Sequence, residues 1–260
     1  MREVSKPMNP LLESVISRRK LMLGSLSVLA GAIIAACTGR SQSALTSSPS
    51  PTASATAVAT PACVVTPTET EGPYFVDERL NRSDITSDPS NGTARPGVPL
   101  TVTFTVARVG SGGCTALSGA QVDVWHCDAS GVYSDVAANN SAGKKFLRGY
   151  QVTGAAGVAK FTTIYPGWYG GRAVHVHFKI RTFAGGSKTY EFTSQIFFDD
   201  AVSDAVYKQP PYNSRPSRDT RNQSDMVYTS NNNSGAMLLA ALTPTSAGYA
   251  AAFAVGLNIA

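Results

Sequence analysis

The 260-residue chain is 43% hydrophobic and 15% charged, and its formal net charge is +5. Three of these five positive charges belong to the first 36 residues, so the rest of the chain is close to neutral. Clusters of Lys and Arg with interleaved aromatic residues do not occur, which argues against a nucleic-acid partner. The length allows one substantial hydrophobic core.

Residues 1–36 have the features of an export signal. The segment from Ser17 to Met22 resembles a twin-arginine motif, and an apolar run that is short for a membrane span follows it to Ala36. Residues 34–37 resemble a lipobox, in which Cys37 is lipidated; an uncleaved anchor helix or a conventional cleavage site are the alternatives. We expect an exported, membrane-anchored lipoprotein on the extracytoplasmic side, at the cell surface or in the periplasm.

Residues 37–62 are rich in Ser, Thr, Pro and Ala and lack apolar periodicity, so we expect a disordered tether after the lipidated cysteine. The folded domain is then predicted to span residues 63–260. Outside the cytoplasm a disulfide is expected, and three cysteines remain for it. We pair Cys63 with Cys114, which have polar neighbours at a domain edge or loop, and expect Cys127, beside Trp125, to be a buried free thiol.

Short stretches of alternating apolar and polar residues predict five strands, at residues 100–107, 120–125, 158–164, 173–183 and 190–198. Gly, Asn, Ser and Asp clusters separate them. One helix is predicted over residues 200–208, with Asp200 as its N-cap. The pattern indicates an all-β fold, a sandwich of mostly antiparallel strands with long loops and little helix.

The predicted strand over residues 173–183 carries two of the three histidines in the chain. Its alternation predicts a half-buried strand, with Val174, Val176, Phe178 and Ile180 on one face and His175, His177, Lys179 and Arg181 on the other. Residues i and i+2 project from the same face, so both imidazoles can reach one point, which is typical of a metal site. A polar surface stripe is the alternative.

Four segments together resemble the intradiol ring-cleavage dioxygenases, the catechol and protocatechuate dioxygenase family, in its secreted single-chain branch. They are residues 70–75, 122–134, 165–177 with the preceding 146–151, and 193–200. The most specific part is Tyr-Pro-Gly-x-Tyr at residues 165–169, followed by Arg172, His175 and His177 in Arg-x-x-His-x-His spacing.

The resemblance implies a non-haem Fe(III) enzyme that uses O2 to cleave a catechol-type ring between its two hydroxyl-bearing carbons, giving a cis,cis-muconate-type product in the catabolism of aromatic compounds. It places the metal ligands on Tyr133, Tyr169, His175 and His177. Arg172 and Gln195 match the substrate-side polar pair, Tyr169 is the ligand implied to leave and act as a base, and Gly72 and Pro73 match a segment that lines the substrate pocket.

Two other functions remain open from the sequence. His126, His175 and His177 could bind Zn or Cu in an extracytoplasmic β-sandwich protein. Alternatively, the chain could be a non-catalytic tethered binding module with Trp168 and Tyr169 as a stacking platform. The resemblance implies that His126 is not a ligand. The sequence does not specify the oligomeric state.

Overall fold

The computed structural model of the protein describes residues 63–259. The predicted export signal, Cys37 and the predicted tether lie outside these residues, as does Ala260. The strands are β1 (Pro99–Gly110), β2 (Gly113–Ala116), β3 (Gln121–Trp125), β4 (Arg148–Val152), β5 (Val158–Ile164), β6 (His175–Ala184), β7 (Ser187–Phe197), β8 (Ala241–Pro244) and β9 (Tyr249–Leu257). The helices are α1 (Asp200–Val206) and α2 (Ser230–Asn233).

The strands form two sheets. In the first, the long strand β1 pairs antiparallel with β5 and β2 along one edge and parallel with β9 along the other, and β8 flanks β9. The second sheet has the order β4-β3-β6-β7 and is antiparallel throughout. The predicted all-β sandwich of mostly antiparallel strands is therefore confirmed.

Aromatic side chains from both sheets form the middle of the core. The ring of Phe104 on β1 lies 5.1 Å from that of Phe178 on β6, and Phe178 lies 5.7 Å from Phe253 on β9. These rings are fully or almost fully buried. Their burial removes a large apolar area from water and fixes which face of β6 points inward.

The second face of β6 is also buried, so the prediction of a half-buried strand was wrong. His175, His177, Lys179 and Arg181 are each less than one-tenth exposed. Their cover is the segment 69–78, which we call the strap, and it has no strand alternation of its own.

The strap crosses three strands of the second sheet. The Glu69 amide donates to the Thr193 carbonyl of β7, and Glu71 pairs with Lys179 of β6 at 2.5 Å. Phe75 packs 4.9 Å from the Trp125 ring on β3. At the far end of the strap, Arg181 binds Asp77 at 2.8 Å. The polar face of β6 is thus an internal surface with paired charges.

Several predicted boundaries differ from the structure. Helix α1 ends at Val206, and its N-cap is Asp199, whose side chain accepts from the amides of Ala201 and Val202. The sequence prediction of Asp200 as N-cap was therefore wrong by one residue. Strands β2, β4, β8 and β9 were not predicted.

The disulfide lies at the first sheet, because Cys114 belongs to β2. Cys63 and Cys114 form a disulfide, and Cys127 is free and buried. Next to the disulfide, Thr66 exchanges two hydrogen bonds with Gly256 of β9, of 2.8 and 2.9 Å. Residues 63–259 contain no helix that is long and apolar enough to cross a membrane.

Candidate metal centre

A row of side chains crosses the polar face of the second sheet. In the strand register, His177 of β6 lies directly between Trp125 of β3 and Gln195 of β7. The imidazole of His177 stacks on the Trp125 indole, with 4.9 Å between ring centres and 7° between planes. His175 lies two residues back on the same face, and its Nε2 is 3.1 Å from Nε2 of His177.

Two phenols reach the same point from two loops. Tyr133 lies on the loop that follows β3, and Tyr169 lies on the loop that enters β6. The Tyr133 hydroxyl is 3.3 Å and the Tyr169 hydroxyl 3.1 Å from Nε2 of His175. Two oxygens and two nitrogens therefore converge, as the resemblance implies.

These two loops are held together by glycines at points where a side chain would not fit. A Cβ atom on Gly131, which has a φ of +82°, would overlap the carbonyl oxygen of Trp168. A Cβ atom on Gly167 would overlap the carbonyl oxygens of Asp128 and Ala129. The backbones of the Tyr133 and Tyr169 loops thus pack directly against each other, which fixes the separation of the two phenols.

Burial keeps these groups in their neutral forms when no cation is bound. It raises the pKa of the Tyr133 phenol well above its usual value and raises that of Tyr169 to about 12. Burial, with a contribution from the charge of Arg172, holds the pKa of His175 and His177 well below the usual range for histidine. Both imidazoles are therefore uncharged at neutral pH and can act as ligands.

The hydrogen bonding of the cluster suits a cation. His175 donates from Nδ1 to the Ala173 carbonyl at 2.6 Å, so its Nε2 lone pair faces the other three donors. His177 Nδ1 is buried without a partner among the described residues. A positive ion at this point favours the phenolate forms, and two phenolates suit a hard, highly charged ion such as Fe(III). The donor set therefore fits a ferric ion.

Arg172 and Gln195 lie at the rim of the cluster. Nη1 of Arg172 is 3.5 Å from the Tyr169 hydroxyl, and Nη2 donates to Oε1 of Gln195 at 2.6 Å. The Gln195 amide nitrogen in turn donates to the Thr70 carbonyl of the strap at 2.8 Å. The guanidinium is thus directed at the position that Tyr169 occupies.

The strap brings Gly72 against the cluster. A Cβ atom on Gly72, which has a φ of +67°, would lie 3.4 Å from Cε1 of His177. Pro73 follows and is exposed. Tyr74, which had no role in the sequence interpretation, stacks 4.5 Å from the Tyr133 ring and contacts Tyr169 edge-on at 5.9 Å. Its proximity could not be read from the sequence because the strap lacks regular structure.

A second residue that the sequence analysis missed is Asp225. It is fully buried, and its Oδ2 accepts from Nε of Arg172 at 3.0 Å. A single acid in a loop without periodicity gives no local signal of such a contact.

The metal site that would include His126 is not supported. Both of its ring nitrogens already have partners, the Cys127 carbonyl at 2.8 Å and the Thr163 hydroxyl at 2.7 Å. Residues 63–259 hold no group of three or more His, Cys, Asp or Glu side chains suited to a metal ion. The stacking platform is also disfavoured, because Arg215 covers the Trp168 ring at 4.3 Å.

Two basic residues, one on the loop between β3 and β4 and one at the start of β4, have partners within the protein. Lys145 pairs with Glu78 at 2.6 Å, and Arg148 donates to the Ser134 carbonyl and hydroxyl. Both cations are therefore used to hold the loop that carries Tyr133.

Comparisons with known proteins agree with this geometry. The model of a family described as "Dioxygenase" matches residues 70–214. An intradiol ring-cleavage dioxygenase from Tetranychus urticae is 32% identical, with a TM-score of 0.65, over 75% of this chain and 95% of that one. No curated protein sequence matches the chain.

Two further structures are similar. One is the dioxygenase domain of a dioxygenase carbohydrate-binding protein fusion from Streptomyces sp. SirexAA-E, at 28% identity and a TM-score of 0.55, covering 76% of this chain and all of that one. The 3-chlorocatechol 1,2-dioxygenase from Rhodococcus opacus 1CP shares the fold at 20% identity and a TM-score of 0.53, over 75% and 73% of the two chains. From the family match and the Tetranychus relative, the chain belongs to the intradiol ring-cleavage dioxygenases, which are oxidoreductases that incorporate O2.

Proposed function

We propose that the protein is a non-haem Fe(III) dioxygenase that cleaves a catechol between its two hydroxyl-bearing carbons and releases a cis,cis-muconate-type product. The observation that carries the proposal is the convergence of four donor atoms: both phenol oxygens and Nε2 of His177 each lie within 3.3 Å of Nε2 of His175. Tyr133, Tyr169, His175 and His177 would hold the ion. When bound, a ferric ion would withdraw charge from a catechol dianion and make its ring reactive toward O2.

The two phenols differ in a way that assigns them different roles. Tyr133 is fully buried beneath Tyr74, whereas Tyr169 is partly exposed and contacts Arg172. Tyr169 would therefore be the phenol that makes room for the substrate, and its oxygen would take a proton from a substrate hydroxyl. Tyr133 would remain in place.

Arg172 would stabilise negative charge that develops on the substrate. Its Nη1 points at the Tyr169 oxygen, so a substrate oxygen that replaces the phenol would receive the same donor. Gln195 would keep the guanidinium at this angle. The strap, through Gly72, would limit the access of water beside His177.

Visible absorption and catechol turnover together test the proposal. Protein purified after iron supply should show a visible tyrosinate-to-iron band, whereas a zinc protein would be colourless and a copper protein blue or green. Incubation with a panel of catechols, while oxygen uptake and product absorbance are followed, should show one O2 consumed per ring. Tyr169→Phe should weaken both the band and turnover. Iron-free, colourless and inactive protein after careful iron supply would refute the proposal.

We also propose that the domain is exported and anchored through lipid on Cys37. The support is the motif around residues 17–37 alone. Radiolabelled fatty acid should be incorporated into the full chain but not into a Cys37→Ser variant, which should leave the membrane fraction. Equal labelling of both proteins would refute the lipid anchor.

A further inference from the structure

We propose that Asp225 is a positioning residue for Arg172 and therefore for the substrate-side half of the metal centre. The inference rests on the function proposed above. Asp225 lies eleven residues beyond the last residue of the family match, which ends at 214, so it comes from a part of this chain that the match does not include.

Each carboxylate oxygen of Asp225 accepts two hydrogen bonds. Oδ1 accepts from the amides of Val227 and Tyr228, at 2.7 and 3.2 Å. Oδ2 accepts from the Ala173 amide at 2.6 Å and from Nε of Arg172 at 3.0 Å. All four partners are N–H donors, and a carboxylate, which can only accept, matches them.

The contacts of Arg172 explain what this carboxylate achieves. The guanidinium is planar, so fixing two of its nitrogens determines the direction of the third. Asp225 holds Nε and Gln195 holds Nη2, and the remaining Nη1 is thereby directed to the Tyr169 oxygen. Without Asp225 only Gln195 would define the angle of Arg172.

Asp225 also reaches the metal ligands by a second route. It binds the amide of Ala173, and the carbonyl of that same residue accepts the Nδ1 proton of His175 at 2.6 Å. Loss of Asp225 can therefore act through Arg172, through His175 or through local stability. The three routes predict different results, because only the effect that passes through Arg172 is lost when Arg172 is substituted as well.

The variant that tests this is Asp225→Asn, because one amide oxygen and one NH2 group cannot accept from four N–H donors. The matched control is Asp219→Asn. Asp219 belongs to the same segment and accepts from the Gly171 amide at 3.3 Å, but it is exposed and has no contact with Arg172. Both variants and Arg172→Gln are compared as iron-loaded full chains.

We expect Asp225→Asn to retain iron and to lower kcat about 10- to 100-fold, with a smaller change in KM, as outer-shell partners commonly do. The tyrosinate-to-iron band should shift in Asp225→Asn as it does in Arg172→Gln, and Asp219→Asn should leave both band and kcat unchanged. When Arg172→Gln is already present, adding Asp225→Asn should change kcat by less than about twofold, since the two residues act as a unit.

Full additivity of the two substitutions, or an Asp225→Asn enzyme that behaves like Asp219→Asn, would overturn the inference. If Asp225→Asn does not fold, Arg172→Lys decides, since a lysine keeps the charge but cannot bridge two partners in a plane; near-normal kcat there would also overturn it. A wild type without band or turnover would instead refute the proposed function, and the inference with it.

Discussion

At the scale of single residues, each candidate ligand is oriented by a specific neighbour, and this separates ligands from other buried histidines. His175 has one ring nitrogen bound to Ala173 and the other facing the phenols, whereas both ring nitrogens of His126 are occupied elsewhere. An imidazole can therefore bind metal here only if one of its ring nitrogens has no other partner, and burial alone does not make it a ligand.

We expect His175→Ala to lose most bound iron and His126→Ala to retain it, although both remove a buried side chain and both should lower the melting temperature. Iron per chain, measured by elemental analysis after desalting, gives the comparison. Loss of iron from the His126 variant with retention in the His175 variant would contradict the assignment of ligands.

The contact between Gly131 and Trp168 predicts a second difference. Gly131→Ala should destabilise the fold by about 2–4 kcal/mol, because the methyl group overlaps a backbone carbonyl and the residue has a positive φ. Gly143 also has a positive φ, of +77°, but no atom lies within 4 Å of its Cβ position, so Gly143→Ala should cost only about 1 kcal/mol. Urea unfolding of both variants measures the difference, and equal costs would show that the loops do not interlock as described.

At the scale of elements, the sequence of strand β6 predicts the burial of one face correctly and that of the other face wrongly. Its Val and Phe residues alternate with polar residues, as expected for a strand that packs one face against a second sheet. The polar positions resemble a surface stripe because their cover, the strap, lies about 100 residues earlier in the chain. Local patterns report on neighbours in the sequence and cannot reveal such a cover.

The charges under the strap should contribute unequally to stability. Arg181→Met leaves Asp123 buried without its cation, and we expect a loss of about 3–5 kcal/mol. Lys179→Met should cost less, because its partners Glu71 and Glu191 are 42% and 35% exposed and can be hydrated. Adding Asp123→Asn to Arg181→Met should restore part of the loss. Equal unfolding free energies for the two single variants would show that these charges are not buried as described.

At the scale of the whole molecule, the sequence defined the sandwich class and the family, both of which are confirmed. Strand β9 was missed because its alternation consists mainly of alanines, which carry little strand propensity. Asp225 was missed because its partners on the loop before β6 lie more than fifty residues away. What sequence reasoning lacked in both cases was long-range pairing.

The disulfide joins residues that are 51 positions apart, so it restricts the unfolded chain strongly. A double Cys63→Ser and Cys114→Ser variant should lose about 2–4 kcal/mol of stability, with the metal centre intact. Urea unfolding of this variant, compared with wild type with and without a thiol reductant, measures the effect. Reduced wild type should match the variant; if it retains full stability, the disulfide does not contribute as expected.

The parallel pairing of β9 with β1 has a consequence for biosynthesis. The edge of β1 that faces β9 finds its partner only after β6, the strand that bears both His175 and His177, has been synthesised. Until β9 has been synthesised, a nascent chain therefore exposes this open edge of β1 and an unsealed hydrophobic interior. The sandwich therefore closes only after β9 has emerged from the ribosome, and a chaperone that binds the nascent chain before then meets an unpaired strand edge.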